Sequence, residues 1–282
     1  MASVGFLGTG LLGGAMVEGM LRRGDQVTVW NRTESKARAL EQFGATVAVT
    51  PGDAVAAADH VHLVLPDDAV VEDLLAQIKP TLRPDAIVID HSTTSPRGTK
   101  ERVARMQQAG VRFIHASVFM SPAMARDAVG VILAAGPRDV YDDVLDELEK
   151  MTGEVWYVGE RGDLAAAYKI FGNSMLFVIA AGVTDVFAMA KGLGIAPADA
   201  LAVFSKFQPG GLIKSRGDKM ARGDFSASFE LTMARKDMRL MLEAAGAQPM
   251  VVLPSIAKAM DEAIAKGHGQ DDLGAIAAEV IK

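Results

Sequence analysis

Cysteine is absent from the 282 residues. That excludes disulfides, thiolate nucleophiles and cysteine-ligated metals together. It fits a reducing compartment, and a cytoplasmic protein is expected. An excess of positive charge is also missing. The formal net charge is −6 and the isoelectric point is near 5.4, which argues against a general nucleic-acid binder. No basic segment with a cleavage site stands between Met1-Ala2-Ser3 and the first apolar run, so no secretory leader is expected. The chain shows no internal repeat and no low-complexity tract. The five histidines are scattered. His60 and His62 share one face of a strand, but no third ligand is in register, so packing or surface roles are expected and no metal.

What is present is apolar material. Hydrophobic residues make up 50% of the chain, enough for two domains or one large one. Its most continuous stretch is Asp163 to Lys191, which contains no proline and suits one long helix. After Asn173 this helix is apolar nearly all round, so most of its faces are expected to be buried. Asp185, Thr184 and two internal glycines argue against a membrane span, and no second span supports one. Lys169 and Asn173 are four apart and share a helix face. Taken alone they allow two readings: a lysine snorkelling to water beside an asparagine that satisfies a loop, or a functional pair.

The first half alternates. Val4–Leu7 is an apolar strand, followed by Gly8-Thr9-Gly10-Leu11-Leu12-Gly13, a helix over 15–23 and a second strand, Val27–Trp30. A GxGxxG between a strand and a helix is a dinucleotide-binding signature. The first glycine permits the turn, the second admits a pyrophosphate, and the third lets helix and strand pack closely. The helix N-terminus then offers free N–H groups to the phosphates. The second strand ends in Asn31-Arg32-Thr33 where an acidic residue would favour NAD. Arg32 can pair with a 2′-phosphate through two hydrogen bonds, so NADP(H) is expected over NAD(H).

Further strands are expected at 46–49, 60–65, 86–90, 112–115, 131–135 and 155–158, with helices between them. That alternation predicts a doubly wound, mostly parallel α/β sheet over residues 1–161. Ligands of such sheets bind beyond the C-terminal strand ends. The loops holding Leu65, Pro66 and Asp90–Pro96 should therefore gather beside the glycine turn. Leu65, Pro66 and Thr94 are expected at the cofactor. Residues 162–282 read as all-helical, including helices over 229–245, 251–266 and 272–281. A helical second domain joined through one shared helix is expected to leave a cleft for a small molecule.

These motifs, in this order, resemble the β-hydroxyacid dehydrogenases, which include 3-hydroxyisobutyrate dehydrogenase and glyoxylate/succinic semialdehyde reductases. The resemblance covers essentially the whole chain. It rests on Phe6–Met16, on Asp90-His91-Ser92-Thr93-Thr94-Ser95-Pro96, on Lys169-Ile170-Phe171-Gly172-Asn173, and on Phe229 with Lys236-Asp237. It implies hydride transfer between NADP(H) and a small β-hydroxy acid or aldehyde or keto acid. By resemblance, Lys169 is the proton donor or acceptor and Asn173 helps place the substrate. Ser92 and Thr93 become substrate contacts, Phe229 belongs to the helix that closes over the nicotinamide side, and Lys236 becomes a cofactor or substrate contact across the cleft. A homodimer or homotetramer is implied too. The presence of Lys169 argues against the related imine reductases, which usually lack a lysine there. An imine reductase and a dinucleotide-binding protein without catalysis are the alternatives.

Two departures stand out. The glycines before the long helix sit about one residue further from Lys169 than the family pattern. The family's Asp-Ala-Pro-Val-Ser-Gly-Gly-like segment is His115-Ala116-Ser117-Val118-Phe119-Met120-Ser121-Pro122 here. Phe119 and Met120 add bulk without a strong donor, leaving Ser121 as the nearby hydroxyl. If they face the cleft, one of them should lie near Lys169, and the substrate should carry an apolar group. If they turn into the core, that inference fails.

Overall fold

The protein is described from a computed structural model covering residues 3–281. Met1 and Ala2, on which the expectation of no leader partly bears, lie outside the described residues. The chain forms two compact units, Met1–Asn173 and Ser174–Lys282.

The first unit is built on an eight-stranded sheet in the order β3-β2-β1-β4-β5-β6-β7-β8. The strands are β1 (Ser3–Leu7), β2 (Gln26–Trp30), β3 (Thr46–Val47), β4 (His60–Leu63), β5 (Ile87–Asp90), β6 (Arg112–Phe119), β7 (Val131–Ala135) and β8 (Glu154–Gly159). The first six are parallel, and their order reverses between β1 and β4. Between them run α1 (Leu11–Arg22), α2 (Glu34–Arg38), α3 (Pro51–Val55), α4 (Asp68–Ile78), α5 (Pro96–Gln108), α6 (Pro122–Arg126) and α7 (Arg138–Met151). Two apolar clusters cover the two faces of the sheet, one around Phe6, Met16, Val29 and Ile114, the other around Leu63, Leu75, Val88 and Phe113.

Three strands differ clearly from expectation, β4 by ending at Leu63 instead of 65. β3 is only two residues long, at the edge of the sheet. β6 runs four residues past His115, because the buried polar residues His115 and Ser117 interrupt its apolar run without ending its pairing. β6 and β7 are antiparallel. The segment joining them holds only the five-residue α6, too little for a parallel crossover.

Buried polar groups lock these strands. Arg102 on α5 is fully buried and reaches Asp68 (2.8 Å), Glu72 (2.9 Å) and Asp90 (3.3 Å). Just past β5, His91 Nδ1 lies 2.7 Å from the Ala116 carbonyl and His91 Nε2 lies 2.9 Å from His62 Nδ1. His62 Nε2 lies 2.6 Å from Glu147 Oε1 on α7, whose other oxygen meets His60. The two histidines read as packing or surface residues thus converge on one carboxyl group.

α8 (Leu164–Gly192) begins on the sheet. Ala165 packs against Leu133 and Ala135 of β7. Those first turns place the division between the units at Asn173, inside α8 and beyond the expected position after residue 161.

The second unit is helical: the rest of α8, then α9 (Pro197–Leu201), α10 (Gly211–Ala221), α11 (Leu231–Ala245) and α12 (Leu253–Ala265). Phe229 precedes α11 instead of starting it, since residue 230 bridges to Asp272. The expected final helix is a 3-10 turn, Leu273–Ala277. Asp272 anchors its start: the carboxylate accepts from the N–H groups of Ser228, Phe229 and Gly274 and pairs with Arg216.

Asp185, the acid within the apolar helix, is fully buried. It accepts from the backbone N–H groups of Val251 (2.5 Å), Val252 (3.0 Å) and Leu253 (2.8 Å), where α12 starts. Burial alone would raise its pKa; the three donors outweigh that and hold it below the ordinary value. Asp185→Ala is expected to lower stability by about 2 kcal/mol at neutral pH. A depressed carboxylate stabilises above its unfolded pKa and loses that contribution as the pH falls through the folded one. The difference between wild type and variant should therefore shrink below about pH 4 in denaturant titrations. A constant difference down to acid pH would contradict this role.

The expectation that α8 is buried on most faces is not met by the chain's own residues. Only 6% of its most apolar window is buried, and Leu176, Phe177 and Ile179 are 57%, 71% and 55% exposed. The later helices cover it mainly around Asp185, Ala188 and Ala190.

Candidate active site

The glycine turn sits at the C-terminal end of β1, where the strand order reverses. Gly8 has φ +100°, and a Cβ there would lie 2.2 Å from the Val64 carbonyl oxygen. A Cβ on Gly13 would lie 2.0 Å from the Gly8 carbonyl oxygen, so the helix packs on the turn at glycine distance. Gly10 faces open space. α1 has neither a side-chain cap nor an acid in its first turn, so its N–H groups and positive dipole end are left for an anion. Asn31 ties the turn to β2, its Oδ1 accepting from Thr9 N (3.0 Å) and its Nδ2 donating to Thr33 O (2.9 Å). The buried Thr9 hydroxyl has no partner among the described residues.

A cavity of about 630 Å³ opens on this turn, lined by Gly10, Leu12, Arg32, Thr33, Leu65 and Pro66 among others. Arg32 is exposed and makes no ion pair among the described residues, whereas Arg38 is taken up by Glu34 and Glu41. Lys36, Val70 and Gln77 also line the cavity and were not anticipated. Lys36 lies in α2, four residues beyond Arg32. Val70 and Gln77 are seven apart on α4, a helical spacing that could have revealed them.

The loop after β5 is held from beneath. Ser92 is buried; its N–H donates to Asp90 Oδ1 (2.9 Å) and its hydroxyl oxygen accepts from Leu65 N (2.9 Å). Burial would raise the Asp90 pKa, but His115, Ser92 and Arg102 prevail and lower it. Thr93 is exposed. The Thr94 hydroxyl is buried 2.8 Å from that of Thr99.

Lys169 stands half-buried on α8, with Asn173 a turn later. Burial pushes the lysine below its ordinary pKa. Its Nζ lies 4.3 Å from the centroid of the Phe119 ring. Phe119 and Met120 separate as successive residues at a strand end do. Phe119 joins the cluster of Leu133, Ala135 and Ala165, and Met120 packs on the core of the opposite face. The expectation of an apolar residue beside Lys169 is met by Phe119, and Met120 takes the core position. Ser121 caps α6, its oxygen accepting from Met124 N (3.2 Å).

Phe229 and Lys236 belong to the second unit. The Phe229 N–H donates to Asp272 (3.1 Å), and the Lys236 ammonium pairs with Asp237 (2.7 Å).

A glycine turn at a helix N-terminus, at the reversal point of a parallel sheet, with an orphaned hydroxyl and a free arginine beside it, defines a dinucleotide-binding α/β protein. Residues 3–159 match the family described as the NAD binding domain of 6-phosphogluconate dehydrogenase, and residues 164–280 that described as NAD-binding of NADP-dependent 3-hydroxyisobutyrate dehydrogenase. The chain belongs to the β-hydroxyacid dehydrogenase family, a family of NAD(P)-binding oxidoreductases. It is 30% identical over 246 residues to the cytokine-like nuclear factor N-PAC of Xenopus tropicalis and 29% identical to that of Homo sapiens. The match covers 85% of this chain but only 45% and 44% of those proteins. The chain thus spans less than half the length of these curated relatives.

Solved structures share the fold. The Streptomyces aurantiacus imine reductase superposes with a TM-score of 0.90 at 24% identity, covering 99% of each chain. The reductive aminase from Aspergillus terreus, in complex with NADPH and ethyl levulinate, gives 0.89 at 22% over 99% of each chain. The imine reductase from Myxococcus stipitatus in complex with NADP+ gives 0.90 at 21%, covering 97% of this chain and 98% of that one.

Proposed function

We propose that the chain is an NADP(H)-dependent oxidoreductase that interconverts a small aldehyde or keto acid and its hydroxy acid, with Lys169 handling the proton. The observation that carries this reading is the Lys169 ammonium: half-buried, lowered in pKa by burial and without an ion-pair partner among the described residues. The glycine turn, Arg32 and the orphaned Thr9 hydroxyl fit a phosphorylated dinucleotide. When bound, its nicotinamide supplies or takes up the hydride. In reduction, Lys169 donates a proton to the carbonyl oxygen as that oxygen becomes negative, and in oxidation it takes the proton back. Ser92 and Asn173 orient the substrate. Phe119, set beside Lys169, favours a substrate with an apolar group next to the reacting carbon over glyoxylate.

A C=N substrate is the second reading. It is motivated by Phe119 in place of a hydroxyl-bearing surface and by the likeness to imine reductases and a reductive aminase. Lys169 favours C=O. NADPH oxidation with small aldehydes, keto acids and cyclic imines, run side by side, is the test. Turnover confined to cyclic imines would overturn the carbonyl reading, and inertness toward all three would favour a binding protein.

We also propose a homodimer in which a second copy covers the exposed apolar row Leu176, Phe177 and Ile179. Light scattering at micromolar concentration should give twice the chain mass, and Phe177→Glu should shift it toward the monomer. A monomer mass for the wild type would end this proposal.

A further inference from the structure

Phe119 and Gly172 form a fitted pair. Phe119 is the last residue of β6, and Gly172 lies within α8, three residues beyond Lys169. A Cβ built on Gly172 would come within 2.4 Å of Phe119 Cζ and 2.7 Å of Cε1. The ring edge therefore presses against the helix backbone, where only glycine leaves room. Glycine inside a helix is disfavoured relative to alanine, so this position gives up local helix preference and gains a notch for the ring. The ring then lies with its face toward Lys169, 4.3 Å from Nζ to centroid. That is cation–π range. Other elements bring no acid to the ammonium: among the described residues it has no ion pair, and burial alone accounts for its displaced pKa.

We propose that Phe119 is a positioning residue for Lys169, its ring face holding the ammonium in place of a carboxylate, and that Gly172 is the notch in α8 that admits the ring. The proposal rests on the reading of Lys169 as the proton-handling group. The chemistry has a clear advantage. A carboxylate would hold the lysine strongly charged and compete with the substrate for its protons. A ring face fixes the nitrogen weakly and leaves its N–H bonds free to point elsewhere. Burial disfavours the ammonium and the ring quadrupole favours it, so the two together set the acidity.

The test measures the lysine itself, apart from turnover. The full chain is acylated with acetic anhydride over a pH series, and modification of Lys169 is read by mass spectrometry. Phe119→Leu keeps the apolar surroundings and removes the ring. Its labelling midpoint should fall by about one pH unit. Phe119→Tyr should restore it, because the ring face returns. Gly172→Ala, which favours the helix and displaces the ring, should lower the midpoint in the same direction, and it serves if Phe119→Leu does not fold. The alkaline limb of the reduction rate should move with the labelling midpoint. An unchanged midpoint in both variants would overturn the proposal. So would an upward shift, which would mean that the ring only excludes water. If Lys169 proves dispensable for turnover, the proton reading fails while the labelling shift still reports on the pair.

Discussion

Lys169→Ala is expected to lower turnover at saturating NADPH roughly a hundredfold or more, as for loss of a positioned acid or base. Cofactor affinity should stay near that of the wild type, since the phosphates are held by the turn at Gly8–Gly13. The loss belongs to the chemical step, so stopped-flow hydride transfer is the measurement. The pH dependence has a definite sign. In reduction the lysine must start protonated, so the rate is full below its pKa and is lost as the pH rises through it. Burial displaces that pKa downward, which brings the loss closer to neutrality than an exposed lysine would. A transfer rate in the variant within a few-fold of wild type would remove Lys169 from the mechanism.

Arg32→Ala should weaken NADPH about ten- to a hundredfold, the equivalent of losing a charged hydrogen-bond pair worth about 1.5–3 kcal/mol. NADH affinity should hardly change, because it carries no 2′-phosphate. Arg32 sits where the cavity on the glycine turn meets a second hollow of about 300 Å³ shared with Arg38 and Val49. Lys36 lines the same cavity and limits the loss, so Lys36→Ala combined with Arg32→Ala should go further. Calorimetric titration with both cofactors decides the matter. Tighter NADH than NADPH binding by the wild type would refute the assigned preference.

The dinucleotide turn was legible because its constraint is local. Gly8, Gly10 and Gly13 lie within six residues of one another, and each answers to a backbone approach that the spacing already implies. The sheet was legible for a similar reason, since buried parallel strands are short apolar runs. β6 was cut short where His115 and Ser117 carry polar atoms into the core, and their partners are set by folding. The same holds for Arg102, which reads as an ordinary surface arginine of an amphipathic helix until Asp68, Glu72 and Asp90 are brought around it. α8 showed its length and its apolar surface but not what covers that surface. The fate of Phe119 and Met120 depended on which residue of the strand end faced α8, and a shift of one would exchange them. Gly172 gave the missing signal, as a glycine in a helix that needs none for its own geometry.

The chain of contacts from Ala116 through His91 and His62 to Glu147 also fixes a number of protons. The Ala116 carbonyl can only accept, so His91 must carry hydrogen on Nδ1. If His91 is neutral, its Nε2 accepts from His62 Nδ1, and a neutral His62 then turns a bare Nε2 toward a carboxylate oxygen 2.6 Å away. Two lone pairs cannot face each other at that distance. One more hydrogen must lie in the row, whichever atom holds it. Burial drives both imidazoles toward the neutral form, His91 to a pKa of about 4. A formal count that treats every acid as ionised gives −6. The hydrogen that the row requires is one that this count leaves out.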